Sequence, residues 1–494
     1  MSLDRDDPYM DFIYPEEYIE SALCEDVLVE VTAEDVRAGR VDMQGIDWSK
    51  LPIARERFRD SRVKNYGNFK NIPTVSPDIL KREILKVRQD AQLYQFRHAS
   101  LQNKCMYLHF QLRNLLWATS KNDVYYTNNL GVCHWCPISK TSRMALDLSK
   151  QDFVGMKISS IVAKKGYLMV GGFSGEYMLR RLTDESPPTK GSLTTDSNGF
   201  TNHLDIEEAR SGALSAIASS NDQRMRMMDL ASAQIAKSFY FDTPVNCAAL
   251  SPDKRMLCVV GDDPETIIVD SERGRHLATL TGHLDYSFAC AWSPCGRVLA
   301  TGNQDMTTRI YDTRNMSQTL SVLSGRMGAI RSIRFSDDAR FMAFAEPADF
   351  VHIVDMTRLP EGPIESWQPV SDAAPLPRSA SSHRLRTPGS TDLHDTEDED
   401  GDAEEKEPTA VGFMQRPPGE IYRSQVVDFF GEIAGISFNP GGNGDGADEL
   451  FIGIADSKYG SILELQRDRD TFYRWTAVSN SQPSYDSYDP EVLL

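Results

Sequence analysis

Four aspartates recur along the middle of this chain at a nearly constant interval. Asp229, Asp270, Asp312 and Asp355 follow Met228, Val269, Tyr311 and Val354, and their spacings are 41, 42 and 43 residues. A self-similar period of ~40–45 residues marks an array whose unit is one small sheet, unable to bury both faces alone. Each unit must stack on its neighbours. Closing the array into a ring leaves no unit with an uncovered face.

A second marker repeats in step with the first. The turns Leu250-Ser251-Pro252-Asp253, Trp292-Ser293-Pro294-Cys295-Gly296, Phe335-Ser336-Asp337-Asp338 and Phe438-Asn439-Pro440-Gly441-Gly442 punctuate apolar runs. Proline presets φ, aspartate bonds its own backbone, and glycine accepts positive φ, so such clusters predict tight strand links. Ser251, Ser293 and Ser336 lie 42 and 43 residues apart, but Asn439 follows Ser336 by 103, which exposes an insertion. A third marker, the turn between second and third strands of each unit, falls at Asp123, Ser174, Asp222, Asp263, Asp305, Asp349 and Asp456. These markers predict seven units. Leu93–His98 and Phe472–Val478 are both candidates for the strand that closes the ring.

The formal net charge of −19 is unevenly placed. Residues 1–36 carry 12 acidic side chains and one basic, whereas residues 37–113 carry 16 basic and 7 acidic. The excess of negative charge argues against general nucleic-acid affinity and leaves the basic stretch as the one candidate for meeting a polyanion. No run of 18 apolar residues predicts a membrane span, and the first twenty residues lack an apolar signal core. The scattered cysteines, with Cys247, Cys258 and Cys290 in apolar runs, read as reduced, buried thiols of a cytoplasmic and nuclear protein. Inside the insertion, residues 371–391 are Ser/Pro-rich and residues 392–407 hold ten acidic side chains against Lys406. Such a composition cannot offset the entropy of ordering, so a disordered loop is expected. Ser379 after Arg378, and Thr387 before Pro388, are candidate phosphorylation sites in it.

The chain offers little for catalysis. Cys133-His134-Trp135-Cys136 has the spacing of half a zinc site, but no second pair follows it. Gly171-Gly172-Phe173-Ser174-Gly175 lacks the Lys-Ser/Thr of a phosphate loop. No catalytic residue, cofactor or metal ligand is assigned. Pro52–Tyr66 predicts a helix, and Ser76-Pro77-Asp78 begins a second. On the first helix Arg55, Arg57, Arg59, Arg62 and Lys64 cluster within ten positions, either docking the helix on the ring or contacting a polyanion.

The stretch from Thr281-Gly282-His283 to Asp312 resembles a WD40 repeat. His283, Thr301, Asp305 and Tyr311 match its structural tetrad of His, Ser/Thr, Asp and Trp, with Tyr311 in place of Trp. Gly45-Ile46-Asp47-Trp48 with Pro52–Tyr66, residues 108–126 and Phe429–Phe438 resemble uncharacterised fungal and plant WD repeat-containing proteins. Tyr311-Asp312-Thr313-Arg314 is similar to the WDxR box of cullin-4 ubiquitin-ligase receptors, in which the residues matching Asp312 and Arg314 contact the adaptor. The resemblance implies an all-β fold, a seven-bladed WD40 β-propeller with an N-terminal helical extension and a disordered acidic insertion. The expected organisation is an acidic disordered tail at 1–36, a basic helical extension at 37–91 and a propeller at 92–478. The insertion occupies 358–424 in blade 6, and a disordered tail 479–494. The expected function is a non-enzymatic protein-binding scaffold, monomeric within a larger complex, with other proteins as partners and no membrane. Alternatives are a cullin-4-type substrate receptor and an RNA-associated protein using the basic helix.

Overall fold

The computed structural model describes residues 28–73, 91–106, 114–149, 155–184, 186–356, 422–441, 448–456 and 460–468, with 80, 83, 84, 87 and 89. Among the described residues there are five separate four-stranded antiparallel sheets and one eight-stranded sheet. Blade 1 holds Leu116–Ser120, Asp123–Asn128, Gly131–Cys136 and Thr141–Asp147, and blade 2 holds Ile158–Lys164, Tyr167–Gly172, Glu176–Arg181 and Thr189–Ser192. Blade 3 runs from Thr201–Glu208 to Gln234–Tyr240, blade 4 from Val245–Leu250 to His276–Leu280, and blade 5 from Ser287–Trp292 to Asn315–Ser324. The larger sheet is two blades joined by the 15-residue strand Ser424–Phe438. Its first half pairs with Ala348–Asp355 as the outer strand of blade 6, and its second half pairs with Glu449–Ala455 as the inner strand of blade 7.

The inner strand of each blade touches the inner strand of the next, from Leu116–Ser120 round to Ser424–Phe438 and back. Gly435 allows the last of these approaches, since a Cβ there would lie 3.0 Å from the Leu116 nitrogen. The ring is therefore closed around seven blades, with the apolar core between blades. The closing strand is Tyr94–Ser100, which pairs antiparallel with Ser461–Arg467 of blade 7. Gln425 seats it, accepting from the Leu93 and Tyr94 N–H groups and donating to the Tyr94 carbonyl. Phe472–Val478 lies outside the described residues.

The repeated residues each do a local backbone task. Asp229, Asp270 and Asp312 accept hydrogen bonds from backbone N–H groups two or three residues on, at Ser232, Glu272 and Arg314 among others. They turn the chain at the end of each third strand. The hydroxyls of Ser251, Ser293 and Ser336 accept from Met256, Val298 and Phe341 at 2.9, 3.0 and 2.9 Å. These turns pass through positive φ at Lys254 (64°), Gly296 (73°) and Ala339 (57°), so only the middle one uses the residue best suited to it.

Two expectations need correction. Asp123 is not in the turn between the second and third strands of blade 1; it opens the second strand, and Asn128–Gly131 makes the later turn. A hairpin of two short links looks alike at either end in sequence, so the marker was one strand out of phase. The acidic tail also ends earlier than residue 36. Glu30–Thr32 adds a fifth strand to blade 7, pairing Val31 with Ala99, and Val31 is buried. Thr32 then caps the short helix Ala33–Arg37 in a reciprocal box with Asp35. Residues 1–27, 357–421 and 469–494, with Ser379 and Thr387, lie outside the described residues.

Candidate interaction surface

The links from blade to blade and the turns between second and third strands lie on one face of the ring, the upper face. Over blades 5 to 7 it is covered by residues 42–73. Gln44 makes a two-way bond with the Phe430 backbone, at 2.6 Å in each direction. Trp48, Phe58 and Phe430 pack with ring centroids 5.0–5.7 Å apart, and Trp48 donates to Asp42 at 2.7 Å. Burial raises the Asp42 carboxyl, against hydrogen bonds from Trp48, Ile46 and Gln44.

The helix forms at Arg55–Asn65, three residues later than Pro52. Arg55, Arg59 and Arg62 share one side of it, because spacings of four and three return to the same face. Arg59 bonds Asp349 at 2.5 Å and Asp428 at 2.6 Å, and its guanidinium lies 4.1 Å from the Phe430 centroid and 4.6 Å from that of Phe350. Arg62 makes a forked bond to Asp349 at 2.6 and 2.8 Å, and Arg55 reaches Asp428 at 2.7 Å. Asp349 is fully buried and also accepts from the Gly431 N–H at 2.8 Å. Three of the five basic residues are thus turned onto carboxylates of the propeller, and Arg57 and Lys64 face solvent. The cluster of basic residues alone is compatible with docking and with polyanion contact; the 55, 59, 62 stripe is the signal that separates them.

Beyond the helix the strap continues across blades 6 and 5. Asn68 exchanges hydrogen bonds with Gln304, at 2.9 Å to its carbonyl and 2.7 Å from its side chain. Gln304 in turn accepts from Arg331 at 2.9 Å, and Asn71 donates twice to Asp285 at 2.8 and 2.9 Å. Glu83 then meets Arg309 at 2.5 Å.

Blade 5 holds its upper links together through a buried imidazole. His283 bonds Asp305 at 3.0 Å through Nδ1 and Thr301 at 2.9 Å through Nε2, and Asp305 accepts from the Leu284 N–H at 3.0 Å. Burial works to raise the Asp305 carboxyl, yet His283, Thr307 and Leu284 hold it below its ordinary value. Tyr311 is buried one strand away, and burial raises its phenol against the opposing influence of Arg309 and the Thr319 and Thr301 hydroxyls. Blade 6 has no such histidine in its entry link. There the buried Glu346 accepts from the N–H groups of Arg326, Met327 and Gly328 at 2.6–2.7 Å and bonds His352 at 2.7 Å. The sequence carried no marker for that substitute.

The upper face of blades 2 and 3 is built differently. Phe173 and Phe200 meet edge to face at 5.2 Å, and Asn198 and Asn221 bond each other at 2.7 Å. Next to them Tyr240 is 58% exposed, with Arg224 5.5 Å over its ring and its hydroxyl donating to Gln223 at 3.0 Å.

Residues 274–312, which run from the outer strand of blade 4 through the third strand of blade 5 and include His283 and Asp305, match the family model "WD domain, G-beta repeat". The chain contains a WD40-repeat domain. It is distantly similar to an uncharacterised protein of Schizosaccharomyces pombe, 27% identical over 50% of this chain and 74% of that one. It is also similar to human serine-threonine kinase receptor-associated protein, 32% identical over 16% of this chain and 22% of the relative. The match to the human protein therefore spans about a fifth of that relative's length. Among solved structures, a chain from a crystal structure of the mitotic checkpoint complex superposes with a TM-score of 0.51 at 13% identity, covering 78% of this chain and 93% of that one.

Within this WD40 domain, the WDxR-like residues sit at the opposite end of blade 5 from the strap. Arg314 is bound by Asp312 at 2.9 and 2.5 Å, so the two charges first satisfy each other. Among the described residues, no group of three or more His, Cys, Asp or Glu side chains is placed to hold a metal ion. Cys133 is buried and its thiol is raised by burial, while Cys136 at the strand end is partly exposed. No helix among the described residues is long and apolar enough to cross a membrane.

Proposed function

We propose that this protein is a non-catalytic scaffold that binds another protein on the upper face of blades 2 and 3. The observation that carries this reading is the exposed Tyr240–Arg224 pair beside Phe173, Phe200 and the Asn198–Asn221 pair. Aromatic residues and arginine dominate the energetics of protein interfaces because they bury large, rigid surfaces with few rotors. The strap already occupies the corresponding face of blades 5 to 7, and among the described residues this patch is open. Pre-formed strands under the patch allow a partner to dock without reshaping the ring. The proposal includes a cytoplasmic and nuclear setting, supported by described cysteines that are all unpaired thiols.

The test is a photo-crosslinking amino acid placed at position 240 and, separately, at position 277 on the outer strand of blade 4. A discrete protein adduct at 240 that Arg224→Ala diminishes supports the assignment. The same adducts at both positions, or none at 240, would remove it.

A further inference from the structure

The inner strands converge on a small chamber in the central channel, about 30 Å³ in volume and lined by Asn114, Asn202, His203, Asn246, Arg331 and Arg334. One water needs roughly 10–15 Å³ by this measure, so the chamber suits a few waters or one small ion and excludes a nucleotide. No carboxylate is among its lining residues. Arg334 donates to the Asn114 carboxamide oxygen and lies 4.6 Å over the Trp117 ring. Its Nε is buried with no hydrogen-bond acceptor among the described residues, as is Nδ1 of His203. The nearby Asp205 is already paired with Lys164 at 3.1 Å. Arg331 lies 3.9 Å over the Phe288 ring and is held toward the channel by its bond to Gln304. The carboxamides of Asn202 and Asn246 donate to protein acceptors, Val245 and Ser287 carbonyls among them, so the available attraction is cationic.

A guanidinium withdrawn from water without a counter-charge is costly, and an anion in reach offsets that cost. Burial also lowers the Arg334 guanidinium from its usual value, an effect that the charge of nearby Asp205 opposes without cancelling. We propose that the chamber binds one small oxyanion between Arg331 and Arg334, the group shared by inorganic phosphate and the side-chain carboxylate of an acidic peptide. Planar guanidiniums suit either, since both offer paired oxygens.

The full chain is titrated with phosphate at constant ionic strength, against chloride, and followed by thermal unfolding and calorimetry. The wild type is expected to show a saturable rise in midpoint of about 1–3 °C with stoichiometric heat. Arg334→Gln is expected to lose the response. Ser332→Asp, which brings a carboxylate to a residue lining the same chamber, is expected to remain folded and equally unresponsive. No response in the wild type, or an undiminished response in Ser332→Asp, overturns the proposal. A glutamate-rich peptide then separates the sources: competition with phosphate assigns the site to a partner's side chain, and absence of competition assigns it to the free ion.

Discussion

Asp349 illustrates how much one side chain decides in this ring. It sits at φ 69°, is fully buried, and gathers Arg59, Arg62 and the Gly431 N–H. Asn accepts the same backbone conformation, so Asp349→Asn removes the charge and leaves the turn intact. Breaking a buried pair from one side costs about 3–5 kcal/mol, and with Arg59 still bonded to Asp428 the loss expected in chemical denaturation lies at the lower end of that range. An unchanged midpoint would show that Arg59 and Arg62 find equal partners elsewhere. Glu464 makes the opposite kind of statement. Burial pushes its carboxyl up to about 7, against Arg97 at 2.9 Å and with Glu449 adding repulsion. The folded state therefore holds its proton more tightly than the unfolded chain, whose glutamate titrates near the ordinary value of 4.5. That stabilisation is present at acid pH and is lost as pH rises between about 4.5 and 7. Glu464→Gln is expected to flatten the fall in thermal midpoint across that window and to exceed the wild type above pH 7. A slope unchanged by the substitution would assign the titration to another group.

At the scale of elements, the strap is held by a few concentrated contacts and the blades by many distributed ones. Phe58 fills the box formed by Trp48, Phe430, Ile46 and Leu51. Phe58→Ala removes a buried ring, a change that costs about 3–5 kcal/mol in a well-packed core. Because the strap lies on the ring and contributes few strand pairings, the cost is expected to fall on docking. Limited proteolysis should cut residues 42–73 at least tenfold faster, with the main melting transition shifted by less than about 3 °C. A large shift in that transition would mean the strap is part of the cooperative core. The strap also reaches the channel through Asn68, Gln304 and Arg331, so its release frees the side chain that positions one channel guanidinium. The element was visible in the sequence as a basic helix. Its destination was not, because helical periodicity shows which residues share a face and nothing about what that face meets.

For the whole molecule, closure depends on residues 94–100 meeting residues 461–467 across most of the chain's length. Removing residues 1–100 exposes the Ser461–Arg467 backbone as an unpaired edge and uncovers the side of blade 7. That chain is expected to elute as aggregate and to lose a single cooperative transition, and a monomer with a wild-type melting profile would show that the ring tolerates an open seam. Period, turn chemistry and strand pattern determined the all-β repeat architecture and the seven units, because each unit must satisfy its own turns locally: Ser251, Ser293 and Ser336 do the same task at the same place in successive blades. The out-of-phase reading at Asp123 shows the limit of such local marks, since equivalent turns occur at both ends of a strand pair. Which strand closes the ring, where the arginines of the strap dock, how Glu346 replaces a histidine and which side chains meet in the channel were decided by tertiary structure alone. The closing strand, the strap and the Arg334–Asn114 bond join residues hundreds of positions apart. The nearer partners of Glu346 follow no repeat of the period, so a local pattern holds no record of which partner will neutralise a charge.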